Sequence, residues 1–449
     1  MKARYSKIFR SVLALLPILL MSIGGYLTLN NEPSRKLTIM LTIALVVLIL
    51  AIYLYVQREQ LAFNHLMFMS IVIALVGVIS FYIRDTSYLY MPLLIAVMLI
   101  ALIIDEQIAI LMHFGLIAIV ALVVGQGTVF LIYYGILGVV TALTVNYSKE
   151  RNKMLLIVGS LALFSSVLHT LLAYTIYDVF ELSELLLAMA NSALSLVIVV
   201  GSLPLWESIF KVMTPLKLLE FSNSNHKLIQ RLLVEAPGTY HHSQMVGNLA
   251  ERGTKSVGGD SLLAKTGALF HDIGKLKEPG YFIENQNGGP NPHDEISAED
   301  SARIIIDHVA YGIKLAQEHK LPSVIIDIIK QHHGTSLVLY FYHKAQNYKD
   351  GVDYDEADFR YQGPKPQTKE AAIVMLADCV EAFVRSLSES DRTLDKIRWI
   401  ISEIIRQRFE DGQLYECPLQ VAELRVIGEA FMQVYNGLYH ERISYPEKG

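Results

Sequence analysis

Long apolar stretches separated by short polar breaks fill the first 206 residues of the chain. Most of the stretches approach the roughly 20 residues that a helix needs to cross about 30 Å of hydrocarbon, where it satisfies its own backbone. The pattern predicts a polytopic helical membrane bundle of about eight spans, in which the fourth is the shortest. The predicted spans are Val12–Leu29, Leu37–Val56, Leu66–Ile83, Tyr88–Ile104, Ile108–Gly125, Val129–Tyr147, Met154–Tyr177 and Leu185–Trp206.

Basic residues in the breaks predict the orientation of this bundle. Four of them precede the first span, between Lys2 and Arg10, and three more lie between the sixth and seventh spans, at residues 149–153. Because basic residues favour the cytoplasmic side, the N-terminus and everything after Trp206 are predicted to be cytoplasmic. A cleaved signal peptide is the alternative for the first span, but no small-residue cleavage pattern follows it.

Beyond Glu207 the apolar positions recur with helical spacing, and strand-like alternation is nearly absent. We therefore divide the chain into a first span with a short external loop (1–36), a seven-helix bundle (37–206), an amphipathic connector (207–225) and an all-α cytoplasmic domain (226–449). Asn223, Ser224 and Asn225 are candidate caps for a helix that follows the connector. Two loops, Tyr281–Glu295 and Tyr348–Thr368, interrupt the domain. Its predicted helices are Tyr240–Lys255, Leu262–Phe270, Ala298–Glu318, Pro322–His333, Lys369–Leu387, Leu394–Phe409 and Val421–Tyr439.

Composition and charge exclude some functions. The net charge of -5 gives no basic excess for binding a nucleic acid polymer. The spans hold few ionisable residues, mainly His113 and His169, which argues against an ion-coupled transporter. We expect these two histidines to form hydrogen bonds inside the bundle. Cys379 and Cys417 match no zinc spacing and suit a reducing compartment.

Histidines and carboxylates carry the candidate chemistry. Eleven of the fourteen histidines follow residue 220. Imidazole and carboxylate together suit manganese or iron, and seven ligands exceed the need of one ion that keeps positions open, so two transition-metal ions are expected. Two ions about 3.5–4 Å apart can activate a shared hydroxide for attack on a phosphodiester. The ordered set at helices or helix ends is His242, His271, Asp272, His308, His332, His333 and Asp378.

This order, with the doublet His271-Asp272 in the run Leu269–Lys275, resembles the HD phosphohydrolase superfamily. The resemblance implies that Asp272 bridges both ions. It assigns His242, His271 and Asp378 to one ion, and it assigns the three remaining histidines (His308, His332 and His333) to the other. His241 adjoins His242 and is the alternative ligand, although the family register favours the second histidine.

Four further runs, Ala236–Ser243, Gly280–Gln286, Phe359–Pro366 and Met375–Ala382, are similar to the seven-transmembrane HD family, the PgpH-like cyclic di-AMP phosphodiesterases. The resemblance covers the C-terminal half nearly end to end. It implies a membrane-bound, metal-dependent hydrolase that converts cyclic di-AMP to linear pApA in a bacterial plasma membrane and so controls a second messenger. Family members carry a large extracellular domain after the first span, whereas here only Asn30–Lys36 occupy that interval.

Lys275, Tyr361 and Arg385 are candidate substrate contacts. Lys275 follows the doublet closely enough to face a phosphate, and with Asp272 it is our catalytic candidate; the alternative is an exposed helix-end lysine. Arg385 lies two helical turns after Asp378, and its alternative is a salt bridge.

Other functions stay open from the residues alone. The substrate is a cyclic dinucleotide by resemblance, but cyclic di-GMP or an alarmone is the alternative, as is a membrane receptor that binds nucleotide without turnover. The lipid bilayer is the expected surrounding of the first half. No sequence pattern gives the oligomeric state, and we expect a homodimer through the membrane helices.

Overall fold

The computed structural model is helical, as predicted. It describes residues 33–57, 63–145, 151–286, 288–347 and 354–438. Within these ranges there is no strand, only an isolated antiparallel bridge between Leu337 and Arg360. Contacts divide the chain into two compact units, Met1–Thr214 and Pro215–Gly449. The predicted connector, residues 207–225, is shared between these units.

In the described residues of the first unit, seven α-helices lie where apolar stretches were predicted. The stretch Val12–Leu29 falls outside the described residues. The helices are α1 (Pro33–Gln57), α2 (Phe63–Tyr82), α3 (Leu93–Ile103), α4 (Glu106–Val124), α5 (Thr128–Val145), α6 (Arg151–Tyr177) and α7 (Leu182–Phe210).

The fourth predicted span is interrupted. A 3₁₀ turn over Tyr88–Tyr90 precedes Pro92, and α3 begins only at Leu93. Proline lacks an N–H and is tolerated at a helix start, so the continuous stretch becomes a short helix with a separate entry turn.

Five helices in the described residues, α2 and α4 to α7, are long and apolar enough to cross a membrane, and Ile39–Ile49 and Tyr88–Ile103 are shorter apolar helical segments. The first half is therefore that of a membrane protein, while the count of eight spans stays a prediction.

The two histidines of the bundle form hydrogen bonds inside it, as expected. The Nε2 atom of His113 lies 2.8 Å from the carbonyl oxygen of Tyr134. His169 contacts the hydroxyl of Tyr88 through Nδ1 at 3.0 Å and a carboxylate oxygen of Glu184 through Nε2 at 3.1 Å. Both rings thus form hydrogen bonds within the protein, while Nδ1 of His113 has no partner among the described residues.

The second unit reproduces the helices predicted from periodicity with small shifts of their ends. A helix at Leu339–Gln346 was not predicted. The helix after the connector is capped by His226 and not by the predicted residues Asn223, Ser224 and Asn225, because the His226 ring accepts a hydrogen bond from the Leu228 N–H. The helices are α8 (Pro215–Phe221), α9 (Lys227–Glu235), α10 (Pro237–Ser256), α11 (Ser261–Phe270), α12 (Ala298–Glu318), α13 (Ser323–Gln331), α14 (Leu339–Gln346), α15 (Lys369–Ser386), α16 (Leu394–Glu410) and α17 (Val421–Leu438).

Helix α15 runs through the centre of the second unit. Residues 371–378 are buried at every position, which explains why the run before Asp378 is apolar on all sides. Helices α10, α11, α16 and α17 contribute Val246, Ala268, Ile397 and Phe431 to the same core. Asp378 therefore stands at the end of a continuously buried stretch of the unit.

The turn after the His271-Asp272 doublet packs directly on α12. A Cβ placed on Gly274 would lie 1.7 Å from the carbonyl oxygen of His308 and 2.7 Å from the backbone nitrogen of Gly312. Only glycine allows this approach of one backbone to another. The contact fixes the doublet relative to the helix that carries His308.

Candidate metal centre

The seven predicted ligands converge although they come from five separate segments. Their side chains are buried except that of His333, which is 19% exposed. The segments are α10 (His242), the end of α11 and the turn that follows (His271 and Asp272), α12 (His308), the residues after α13 (His332 and His333), and α15 (Asp378).

The carboxylate of Asp272 lies between two sets of histidines. Its Oδ2 atom is 3.4 Å from Nε2 of His242 and 3.2 Å from Nε2 of His271. Its Oδ1 atom is 3.3 Å from Nε2 of His308 and 3.6 Å from Nε2 of His332. One carboxylate thus offers one oxygen to each set, which is the arrangement that a bridging ligand requires.

Two groups of potential ligand atoms follow from this geometry. Within each group the atoms lie within 4.8 Å of one another, and Asp272 belongs to both. Asp378 joins the first group, with its Oδ1 atom 3.0 Å from Nε2 of His242. The groups are His242, His271, Asp272 and Asp378, and Asp272, His308, His332 and His333.

The backbone orients three of the histidine rings in the same way. Nδ1 of His271, of His308 and of His332 lies 2.7, 2.5 and 2.7 Å from the carbonyl oxygen of the residue three positions earlier. An Nδ1–H that donates to this carbonyl leaves the Nε2 lone pair free and directed at Asp272. Such an anchor is what a metal-ligating histidine normally has.

The cluster has buried atoms that the protein itself does not satisfy. Nε2 of His271 and both carboxylate oxygens of Asp272 lack a hydrogen-bond partner of good geometry in the described part of the chain. Nζ of Lys275 does lie 2.8 Å from Oδ2 of Asp272, so one of these oxygens has an ion-pair partner. Buried polar atoms are rarely left unpaired, and a donor set of imidazoles and carboxylates fits a divalent transition metal. The residues present therefore fit two metal ions.

The charge states of the two groups differ. Burial lowers the pKa of His332 to about 4 and that of His333 well below its usual value, so both rings are neutral near pH 7. For His271 burial acts in the same direction, but the carboxylates of Asp272 and Asp378 overcome it and raise the pKa to about 9. Neutral imidazole is the form that binds a metal. His332 and His333 are thus in the form that binds an ion, whereas an ion held by His271 would displace a proton.

Two carboxylates that the sequence analysis did not single out support the cluster. Glu381 accepts a hydrogen bond from Nδ1 of His242. Glu284 lies 2.7 Å from Nζ of Lys275. Burial raises the pKa of Glu284, but the charges of Lys275 and His242 overcome this effect and lower the pKa to about 2. Glu381 stands three residues after Asp378, one helical turn along the same face, which is a signal that sequence reasoning could have used.

The predicted substrate contacts all border one cavity of about 760 Å³ that opens onto the cluster. Lys275 pairs with Asp272 and Glu284 and is not an exposed helix-end lysine. Arg385 lies 3.6 Å from Glu284 and 3.4 Å from Glu381, so it forms the salt bridges that were the alternative to a substrate contact. The Tyr361 ring stacks on His333 with centroids 4.2 Å apart.

The neighbouring histidines of α10 have different environments. His242 is 2% exposed and reaches the cluster, whereas His241 is exposed and contacts the ring of Tyr240. Successive residues of a helix point about 100° apart, so only one of the two can face the core. The structure places His242 in the cluster.

Comparison with known proteins gives matches to both halves of the chain. Residues 35–214 match the family described as 7TM receptor with intracellular HD hydrolase, and residues 239–382 match the HD domain. The cyclic-di-AMP phosphodiesterase PgpH of Listeria monocytogenes is 49% identical over 248 residues, which are 55% of this chain and 34% of that protein. The protein of the same name from Bacillus subtilis is 44% identical over 263 residues, 59% of this chain and 36% of that protein. The chain thus spans about a third of the length of these curated relatives.

A solved structure is also similar. The crystal structure of the L. monocytogenes PgpH HD domain in complex with cyclic-di-AMP is 48% identical to this chain, covers 49% of it and is itself covered completely, with a TM-score of 0.46. The two family matches lie on the two compact units, one on the apolar bundle and one on the unit that holds the histidine cluster. Over its two compact units the chain is thus similar to the 7TM receptors with an intracellular HD hydrolase.

Proposed function

We propose that this chain is a membrane-bound phosphodiesterase that hydrolyses cyclic di-AMP to linear pApA. The observation that carries the proposal is the position of Asp272, which offers one carboxylate oxygen to each of two histidine groups at the end of one cavity. Two relatives that share 49% and 44% identity with this chain are named cyclic-di-AMP phosphodiesterases, and this supports the choice of substrate.

In this proposal His242, His271, Asp272 and Asp378 hold one divalent ion, and Asp272, His308, His332 and His333 hold the other. Manganese or iron suits these donors best. When bound, such a pair supplies an activated water at neutral pH and offsets the charge that develops on the phosphate. The protein contributes fixed ligands on rigid helices, a buried surrounding and a lysine, Lys275, at the edge of the cluster.

The reaction is hydrolysis of one of the two phosphodiester bonds of the ring. Water adds its oxygen to phosphorus, the bond between phosphorus and the ribose O3′ breaks, and the O3′ leaves with a proton as the 3′-hydroxyl. The product is a linear dinucleotide with a 5′-phosphate. Lys275, Tyr361 and Arg385 border the cavity and are proposed to contact this substrate.

The walls of the cavity suit a nucleotide. Aromatic side chains line it, and two of them, Tyr340 and Phe383, are 68% and 46% exposed. Aromatic faces stack on nucleobases of any kind, so they favour a nucleotide without selecting adenine. The volume of about 760 Å³ lies in the range of small-molecule sites.

We also propose that the domain boundaries given above apply, with the phosphodiesterase domain at residues 226–449, and that this domain faces the cytoplasm of a bacterial cell. The basic residues at 149–153 support that orientation. We further propose a homodimer through the membrane helices.

The test is turnover by the purified full chain in detergent with manganese. The substrates are cyclic di-AMP, cyclic di-GMP and an alarmone, and products are identified by chromatography and mass. We expect cyclic di-AMP to be consumed fastest and pApA to accumulate. If another nucleotide is consumed faster, that nucleotide replaces cyclic di-AMP as the proposed substrate. Metal-dependent binding with no turnover of any compound would favour a non-catalytic receptor.

A further inference from the structure

Three cationic side chains border the cavity, namely Lys275, Arg385 and Arg408. Two of them are already neutralised by carboxylates: Lys275 by Asp272 and Glu284, and Arg385 by Glu284 and Glu381. Arg408, on α16, differs from both. In the described part of the chain no carboxylate oxygen lies within 4.0 Å of its guanidinium group, and its buried Nε has no hydrogen-bond partner.

The carboxylates around Arg408 act on its guanidinium group only from a distance. The Cys379 thiol, which is next to Asp378 in α15, interacts with this guanidinium group. Asp411 and Asp378 act on it at longer range, and Asp411 itself faces Arg360 at 3.5 Å. Burying a guanidinium group without a directly paired anion costs free energy, so binding of an anion beside it is favoured. The cavity is the side from which an anion can arrive.

We propose that Arg408 binds the phosphodiester of the cyclic dinucleotide that is not cleaved. This inference rests on the proposed function. A cyclic dinucleotide carries two phosphodiesters on opposite sides of its ring. When one of them lies at the histidine cluster, the other extends into the cavity and needs a cation of its own. The planar guanidinium group of arginine matches two phosphate oxygens at once. Arg408 thereby selects substrates with two phosphates over those with one.

The competing role for Arg408 is structural. Through Cys379 it lies beside the helix segment that carries Asp378, so it could instead hold this ligand in position. A positioning role affects every phosphodiester that is cleaved at the cluster. A phosphate-binding role affects only a substrate that carries a second phosphate, and the two roles are separated by the choice of substrate.

The experiment compares Arg408→Gln and Arg408→Lys with the unmodified full chain, loaded with manganese. The substrates are cyclic di-AMP and bis(p-nitrophenyl) phosphate, a diester with a single phosphate. A charge-assisted hydrogen bond to phosphate corresponds to about 10–100-fold in binding. We expect Arg408→Gln to raise KM for cyclic di-AMP by this factor, with a loss in kcat/KM at least about tenfold larger than for the one-phosphate diester. Arg408→Lys, which keeps the charge, should lose less.

Arg406→Gln is the matched control, because Arg406 lies on the same helix, is exposed and pairs with Glu403 and Glu410. Equal losses on both substrates after Arg408→Gln, or an unchanged KM for cyclic di-AMP, overturn the inference. Circular dichroism shows whether each variant folds.

The affinity for cyclic di-AMP, measured by calorimetry, separates this inference from the proposed function. If the unmodified chain binds the nucleotide without cleaving it, the proposed function fails, and weaker binding by Arg408→Gln still supports the phosphate contact. Equal affinities of both proteins, or no binding by either, overturn the contact.

Discussion

Glu381 accepts a hydrogen bond from Nδ1 of His242, a residue 139 positions earlier in the chain. This bond directs Nε2 of the ring toward Asp378, at 3.0 Å, and toward Asp272. A carboxylate behind a histidine fixes the ring and increases the basicity of the ligand nitrogen. We therefore expect Glu381→Gln to lower the affinity for manganese at the first group by roughly 10–100-fold.

The measurement for this prediction is manganese binding by calorimetry, with metal content by mass spectrometry as a second readout. Glu389→Gln serves as the control, because Glu389 is exposed and lies beyond the end of the same helix. Unchanged manganese affinity in Glu381→Gln would show that the hydrogen bond to His242 has no part in metal binding.

Asp272 is the single residue shared by the two groups. Asp272→Ala removes one ligand from each, so we expect both ions to be lost or weakly held and turnover to fall on the order of 10³-fold or more. The helical content, measured by circular dichroism, should stay that of the unmodified chain. Asp307→Ala, at an exposed position of α12, is the control. A rate near that of the unmodified chain would mean that Asp272 does not bridge.

The two adjacent histidines of α10 give a test within one dipeptide. His242→Ala should lose at least about 100-fold in turnover together with metal at the first group, whereas His241→Ala should retain both. The difference arises because His242 is 2% exposed at the cluster and His241 faces solvent. Metal content of the two variants, measured side by side, decides the matter, and loss of metal in the His241 variant alone would reverse the assignment.

The sequence could predict this cluster because its ligands stand in a recognisable order at helix ends. Most of the helices that carry them were predicted as well, since apolar residues recur with helical spacing on each. Periodicity alone could not choose between His241 and His242, because it does not give the rotation of α10 against its neighbours. The family register and the burial of His242 were needed for that choice.

Other parts of the site depend on contacts between helices that no local pattern encodes. Glu381 and His242 meet only when α15 packs on α10. Arg406 and Arg408 stand two residues apart on α16, and the sequence does not show which of them faces the cavity. The helix at Leu339–Gln346 was missed because its eight residues are too few to show a clear period. In the membrane half, the helix break at Pro92 lies inside a stretch whose hydropathy alone predicts one continuous span.

Gly274 gives a prediction about stability in addition to catalysis. A methyl group at this position would lie 1.7 Å from the carbonyl oxygen of His308, a backbone atom that cannot rotate away. Gly274→Ala should therefore push the turn after Asp272 away from α12 and destabilise the second unit by about 1–3 kcal/mol. For a unit of this size each kcal/mol lowers the unfolding midpoint by about 2–4 °C.

Thermal unfolding of the full chain in detergent measures this effect. The control is Gly280→Ala in the next 3₁₀ turn, where an added Cβ meets no atom within 4 Å. Since the same shift separates Asp272 from His308, the Gly274 variant should also bind manganese more weakly at the second group. A midpoint equal to that of the Gly280 variant would show that α12 yields to the extra methyl group, and the turn would then not be what holds the two ligands together.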